Sequence, residues 1–451
     1  MSTSFFLKGK SRQVHKRKGD QIVTKKAKKQ NAPNLENGEE SSGSDLDIKK
    51  FSDAEESESD NETAEQKKLR LAKKYLEEIE KEEAKRAELK ELDDAVEKRL
   101  QKDYLEQKGK LRIEVADNYV APKESDVKLI RAKEHRLPLT CVCITNDGEF
   151  AFTGCKTGSI IKWGIREKRK LACLTYKTHS KYITKSVTSV AVSTDSKYLA
   201  TSDMSPNIQI WDTHTLKHIH TFKGHKDTVI GLVFRKNTHD LYSASKDRSV
   251  KIWSLGEMAY VETLFGHQSP ITSIDALTRE RAITSGGRDT TVRIWKIVEE
   301  SQLIFNGPEG SLDVVKLLDE EHFVSGSDSG SICLWSVLKK KPLCTINEAH
   351  GSYNEVPRWI TSLATLLNSD LFASGSNDNN IRLWKVSDSY KKIVPLFSIE
   401  ISGFVNCIQF TNDGSQLYAA IGQEHKAGRW FKENSAKNGL VVANLSVMRK
   451  K

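Results

Sequence analysis

Three observations predict an all-β fold, a closed seven-bladed β-propeller, over most of this 451-residue chain. Tryptophans recur at Trp163, Trp211, Trp253, Trp295, Trp335, Trp384 and Trp430, spaced 48, 42, 42, 40, 49 and 46 residues, and only Trp359 falls outside the series. Each closes a short run of strand pattern, as in Val250-Lys-Ile-Trp253, and the apolar runs between them, such as Thr228 to Phe234, are too short for helices. A unit in the forties with Gly-His ahead and Trp behind is the mark of four-stranded propeller blades, one per tryptophan.

The clearest unit runs from Gly224-His225 to Trp253. His225, Ser243, Asp247 and Trp253 are matched by His267, Ser285, Asp289 and Trp295 and by His350, Ser374, Asp378 and Trp384, with Ser ten and Asp six residues before Trp in all three. The blades resemble those of WD-repeat proteins, in which these residue types form a buried chain from indole to serine, histidine and aspartate. Such a chain holds neighbouring turns in register. Ser, His and Asp are also triad residues. A constellation that repeats with the fold serves the fold, however, whereas a catalytic set occurs once. Thr157, Ser205 and Ser329 replace the turn aspartate in the first, second and fifth blades, although Asp328 precedes Ser329, so these blades are expected to lack the full chain. The seventh, with strands expected at 404–410, 416–421 and 426–430, rests mainly on its period.

In order along the chain, residues 1–30 carry ten Lys or Arg against Asp20 alone. Lys16, Arg17 and Lys18, then Lys25, Lys26, Lys28 and Lys29, form two clusters that read as a nuclear-import signal on a disordered arm, or as an arm drawn to RNA phosphates. The sign then reverses: residues 31–65 hold twelve acids against two lysines, and Ser42, Ser44, Ser52, Ser57 and Ser59 each have an acid three residues on, making them candidate phosphorylation sites in a disordered acidic segment spanning 31–62. From Thr63-Ala-Glu-Gln66, a capping box, the pattern turns helical to about residue 110, with Leu69, Ala72, Leu76, Ile79, Leu89, Leu92, Val96, Leu100 and Tyr104 forming a narrow apolar stripe among charges. A stripe that cannot bury itself needs a partner surface, so it is read as a docking helix.

The ring is expected over 127–445, with blades near 135–174, 179–222, 225–265, 267–305, 310–346, 350–399 and 403–445. By analogy with Val261-Glu-Thr-Leu264, Val127-Lys-Leu-Ile130 would be an outer strand closing the last blade; Leu440 to Leu445 is the competing closing strand, and the sequence leaves both open. Residues 1–110 together carry only +1 of the net +10, which leaves +9 on the other 341 residues, so the propeller itself is basic. Two sets of loop residues combine basic charge as RNA contacts would: Lys177, Lys181, Tyr182 and Lys185 between the first and second blades, and Arg166, Lys168, Arg169 and Lys170 in a turn on the opposite face. The first set includes an aromatic ring, assigned to base stacking. A third long loop, His350 to Ile360, carries Tyr353, Arg358 and Trp359.

Composition excludes several classes. No run reaches membrane-span length, and the apolar start is too short for a secretory signal. The seven cysteines, odd in number and without a Cys-x-x-Cys pair, read as reduced and mostly buried; no catalytic set, metal site, cofactor or small-molecule substrate is expected.

The order of basic arm, acidic serine segment, Glu62-Thr-Ala-Glu-Gln-Lys-Lys-Leu-Arg-Leu-Ala-Lys-Lys-Tyr-Leu76 and a ring opening with His135-Arg-Leu-Pro-Leu-Thr-Cys141 resembles the WD-repeat family specific to the U3 small nucleolar ribonucleoprotein. The resemblance implies a non-catalytic, nucleolar protein that binds U3 small nucleolar RNA beside a kink-turn-binding protein and other processome proteins, in precursor rRNA processing and small-subunit assembly. A substrate receptor of a ubiquitin ligase is the rival reading, predicting a ligase adaptor and no RNA.

Overall fold

The computed structural model describes residues 64–84, 92–107, 111–184, 186–308, 310–387, 389–429 and 431–447. The basic arm, the acidic segment and all five candidate serines lie outside them. Two helices, α1 (Ala64–Ala84) and α2 (Leu92–Gln107), occupy the helical stretch. Both consist largely of Ala, Leu, Glu, Lys, Gln and Arg, the residues that lose least on entering a helix. Leu69 and Leu76 of α1 and Tyr104 of α2 are exposed.

Residues 127–444 form seven four-stranded antiparallel sheets. We label the strands of a blade a to d. Blade three shows the plan: Val229–Phe234, Asp240–Ser245, Ser249–Ser254 and Ala259–Phe265. The a strands of successive blades pack against one another around the axis, and the d strands form the rim. Small residues permit this approach: a Cβ on Gly375 would lie 2.5 Å from Val405 of the next blade.

The apolar core sits between blades. Ala200, Ile208 and Ile210 of blade two cluster with Val229, Leu232 and Phe234 of blade three, and Phe222 stacks on Trp253 with 4.9 Å between ring centroids. Trp211, Trp253 and Trp335 are almost wholly buried. Each removes roughly 150–250 Å² from water, at most about 4–6 kcal/mol.

Closure resolves the competition between the two candidate closing strands, because both segments belong to one sheet. Blade seven consists of Phe404–Phe410, Gln416–Gly422, Gly439–Asn444 and, as strand d, Val127–Ile130, with Leu129 opposite Val441 and Ile130 opposite Leu440. Pairing the two ends of the ring removes the open edges an unclosed sheet would expose. The strand expected at 426–430 is not one. Lys426 and Ala427 form a turn in the loop between strands b and c, and Trp430 lies outside the described residues. Leu417 faces Ala443 as Leu241 faces Trp253, so an alanine takes the tryptophan position and leaves this strand without its marker.

Ahead of the closing strand, the 111–120 segment is strapped to blades six and seven. Asp370, fully buried, accepts hydrogen bonds from the amides of Val115 and Ala116 at 2.8 and 3.0 Å, and the Tyr119 hydroxyl donates to the Gly414 carbonyl. Tyr119–Val120 then pairs with Ser446–Val447.

Candidate nucleic-acid interface

Buried hydrogen-bond chains fix where the loops emerge. In blade three the Trp253 indole N–H donates to Ser243 Oγ at 2.8 Å, His225 Nε2 lies 2.7 Å from the same oxygen, and His225 Nδ1 lies 2.9 Å from Asp247. Blade six repeats it with Trp384, Ser374, His350 and Asp378. Burial alone would raise the Asp247 carboxyl, but hydrogen bonds from His225, Ser249 and the Lys226 amide hold it well below the usual carboxylate range. The imidazole side chains of all three histidines are closed to solvent, so the chains offer nothing to a substrate.

Blade four corrects the sequence reading. Its hydroxyl is Thr284, not Ser285: Trp295 Nε1 donates to Thr284 Oγ1 at 2.8 Å and His267 Nε2 lies 2.8 Å from it, while Ser285 meets Thr272. Six residues separate Ser285 from its partner Val292, against five between Ala244 and Val250 in blade three. That one extra turn residue moves the inward-facing position to eleven before the tryptophan. Blade one has no aspartate in its chain: Trp163 donates to Thr153, which His135 contacts through Nε2, and His135 Nδ1 closes on Ser159. In blades two and five the indole still bonds a hydroxyl, Thr201 and Ser325.

With the strands antiparallel, the d–a and b–c connections share one face and the a–b and c–d turns the other. The first face gathers cations. Arg131, Lys133 and Arg136 enter blade one; Lys177 and Lys181 enter blade two; Lys223 and Lys226 enter blade three; Lys246, Arg248 and Arg288 occupy b–c turns of blades three and four; Lys432 and Lys437 lie in the long loop of blade seven. All are exposed, and among the described residues none forms an ion pair. Pairing would cancel their field; unpaired, they sum to a positive surface.

The predicted contacts separate on this map. Lys177 and Lys181 lie on the cationic face, and Lys185 is outside the described residues. Tyr182 is half-buried and spent: its ring stacks on His218 at 3.8 Å, meets Trp211 edge-on, and has Lys181 Nζ 5.3 Å from its centroid. The stacking assigned to it goes to packing this loop on blade two. Of the opposite set, only Arg166 and Lys168 lie in the turn, and Arg169 and Lys170 begin strand d. Lys168 donates to Asn444 at 3.2 Å, Arg169 pairs with Glu167 and Lys170 with Glu134. Acids therefore answer much of this group's charge.

Sequence reasoning missed most of the assembled face. Lys223, Lys226, Lys246 and Arg248 flank the Gly-His and Asp positions of the repeat template, and that placement was the available signal. It also passed over the exposed ring of Phe431, while Tyr353, which it placed in the long loop entering blade six, is exposed on this face. Tyr353 sits on a hairpin, Ser352–Tyr353 paired with Val356–Pro357, whose two turn residues Asn354 and Glu355 have φ of 50° and 64°. Arg358 lies 5.7 Å from the centre of the Tyr353 ring. All seven cysteines are free thiols, and burial pushes Cys141 and Cys143 up to about 12. Among the described residues no group of three His, Cys, Asp or Glu could hold a metal ion, and no helix is long and apolar enough to cross a membrane.

Comparison with known proteins adds names to this geometry. The family described as "WD domain, G-beta repeat" matches residues 127–164, 172–212, 216–254, 258–296 and 341–385. The chain is 45% identical over 398 residues to the Homo sapiens protein "U3 small nucleolar RNA-interacting protein 2", covering 85% of this chain and 82% of that one. It is 28% identical over 531 residues to "Ribosomal RNA-processing protein 9" of Saccharomyces cerevisiae, covering 88% and 92%. A solved structure, "Structure of U3-55K", superposes with a TM-score of 0.70 at 44% identity, covering 72% of this chain and all of that one.

Proposed function

The chain belongs to the WD-repeat family of the U3 small nucleolar ribonucleoprotein, and on that basis we propose that it is a non-catalytic component of this particle that binds U3 small nucleolar RNA through the cationic face of the ring. Relatives carrying "U3 small nucleolar RNA-interacting" and "ribosomal RNA-processing" in their names support a role in precursor rRNA processing within the nucleolus. The observation that carries the RNA reading is the set of exposed, unpaired cations converging from blades seven, one, two, three and four onto one face. Phosphate contacts of this kind supply affinity, and the exposed rings of Tyr353 and Phe431 can stack unpaired bases.

Sequence selectivity then falls to RNA shape and to a protein already on it, so the kink-turn-binding protein is the expected co-ligand. The basic clusters at 16–18 and 25–29 act as the import signal, the acid-flanked serines of 31–62 are phosphorylated, and the stripe of the 63–110 region docks on another processome protein.

The test is binding of U3 RNA to the full chain, with and without the kink-turn protein, across a salt series. Lys223→Gln, Lys226→Gln and Lys246→Gln should each flatten the log–log slope by about 0.7 to 0.9. A wild-type chain with no preference for U3 RNA over an unrelated RNA, even with the partner present, overturns the reading. Alanine at the seven clustered basic residues should leave a tagged protein in the cytoplasm; unchanged nucleolar accumulation would assign the address to the ring.

A further inference from the structure

The rim of blade five departs from its siblings. In blade three the c–d pairing carries a bulge of one extra residue beside the tryptophan, Ile252 facing Glu262 and Trp253 facing Tyr260, and blade four has none. In blade five, Leu334 faces Cys344 but Ser336 faces Lys339, so four residues of strand d, from Lys340 to Leu343, lie opposite Trp335 alone. Three extra residues leave the ladder at a run of lysines. Lys339, Lys340 and Lys341 are all exposed, and Lys391 and Lys392 are exposed at the corresponding place on blade six, whose outer strand packs against that of blade five. Among the described residues none of these five lysines forms an ion pair, unlike Lys170 and Arg169 on the rim of blade one.

We propose that this bulged strand is a second RNA-contacting surface that grips the phosphate backbone, at the end of the ring away from the cationic face. The inference rests on the RNA-binding function proposed above and adds a site to it. A bulge in an outer strand re-aims side chains and breaks the regular edge; here it carries the exposed Lys340 and Lys341, next to the exposed Lys339 at the last paired position. Lysine is a point charge on a flexible stem, suited to phosphate oxygens along a backbone and unable to read bases in a fixed geometry. Leu338, exposed in the adjoining turn, offers one apolar contact, short of the buried anchor cluster that a protein interface requires. With contacts at both ends of the ring, the protein spans two segments of RNA.

The experiment compares the full-length wild type with Lys339→Gln/Lys340→Gln/Lys341→Gln and with the corresponding triple Glu variant, using in-vitro transcribed U3 RNA and an unrelated structured RNA from about 50 to 300 mM salt. The expected result is a slope reduced by about 0.7 to 0.9 for each lysine–phosphate pairing removed, equally for both RNAs, and a drop in affinity of fivefold or more for the Glu variant. Thermal unfolding identical to wild type shows that the fold is kept, as the exposure of these side chains predicts. Affinity within twofold and an unchanged slope in both variants overturn the proposal while wild-type binding stands. If the variants leave RNA binding intact but abolish capture of poly-glutamate, the surface serves an acidic protein, and the proposal is likewise overturned. A wild type that binds neither RNA overturns the functional reading itself.

Discussion

Replacing Thr284 by valine tests whether the buried chain of blade four runs through the residue that the structure places there. The change keeps shape and removes the hydroxyl, stranding two groups at once: the Trp295 indole N–H and His267 Nε2, both 2.8 Å from Thr284 Oγ1. The site is fully buried, so water cannot replace the oxygen. An unsatisfied buried polar group costs about 1–3 kcal/mol, so Thr284→Val should cost about 2–5 kcal/mol. Ser285→Ala removes only a contact to Thr272 at 2.9 Å, worth about 0.5–1.5 kcal/mol. Urea denaturation of both variants, read from the midpoint with the slope unchanged, gives the comparison. The carboxylate end adds a second readout. Burial would raise Asp289, but hydrogen bonds from His267 and Thr291 hold it at about 2. Its stabilisation is complete above about pH 5, where the unfolded carboxyl is ionised, and fades as pH falls through about 4 towards 2. In Thr284→Val this acid sensitivity should persist, since the His267–Asp289 contact is untouched. If Ser285→Ala costs as much as Thr284→Val, the register assigned to blade four is wrong.

Three further outcomes follow from the same structure. Burial pushes His135 down to about 4 and His425 to about 3, so both stay neutral in the ring while the unfolded imidazoles protonate near 6.5; stability should fall from pH 6.5 towards 4, by up to about 3 kcal/mol for His135, and His135→Asn should show a shallower slope in denaturation across that window. Tyr182→Ala should cost about 1–3 kcal/mol in thermal or urea unfolding, because the stack on His218 is gone, with the salt dependence of RNA binding unchanged; a full-strength fold with weakened RNA binding would return this ring to the interface. Asp370→Ala releases two amides and should cost about 2–4 kcal/mol, exposing the 111–120 strap to protease before the ring is cut, which mass spectrometry of the fragments would detect.

The architecture was legible in residue order alone. Strand order, six of the seven blades and most of the buried chain follow from local pattern, because those blades solve the same packing problem with the same few residue types; the seventh rests mainly on the period. His225, Ser243, Asp247 and Trp253 lie within one unit, and their spacing is their geometry. Whatever depends on register or on distance along the chain emerged only on folding. One extra turn residue exchanged Ser285 for Thr284, a change of hydrogen-bond partner that residue spacing does not reveal. The last blade closes with residues 127–130 because ring closure pairs strands some three hundred residues apart, and its marker tryptophan position holds Ala443. Charge was the least legible. Lys170 and Lys340 look alike in sequence, yet one faces Glu134 while the other stands on a bulge without an ion pair among the described residues, since only the folded chain determines which opposite charges come within reach.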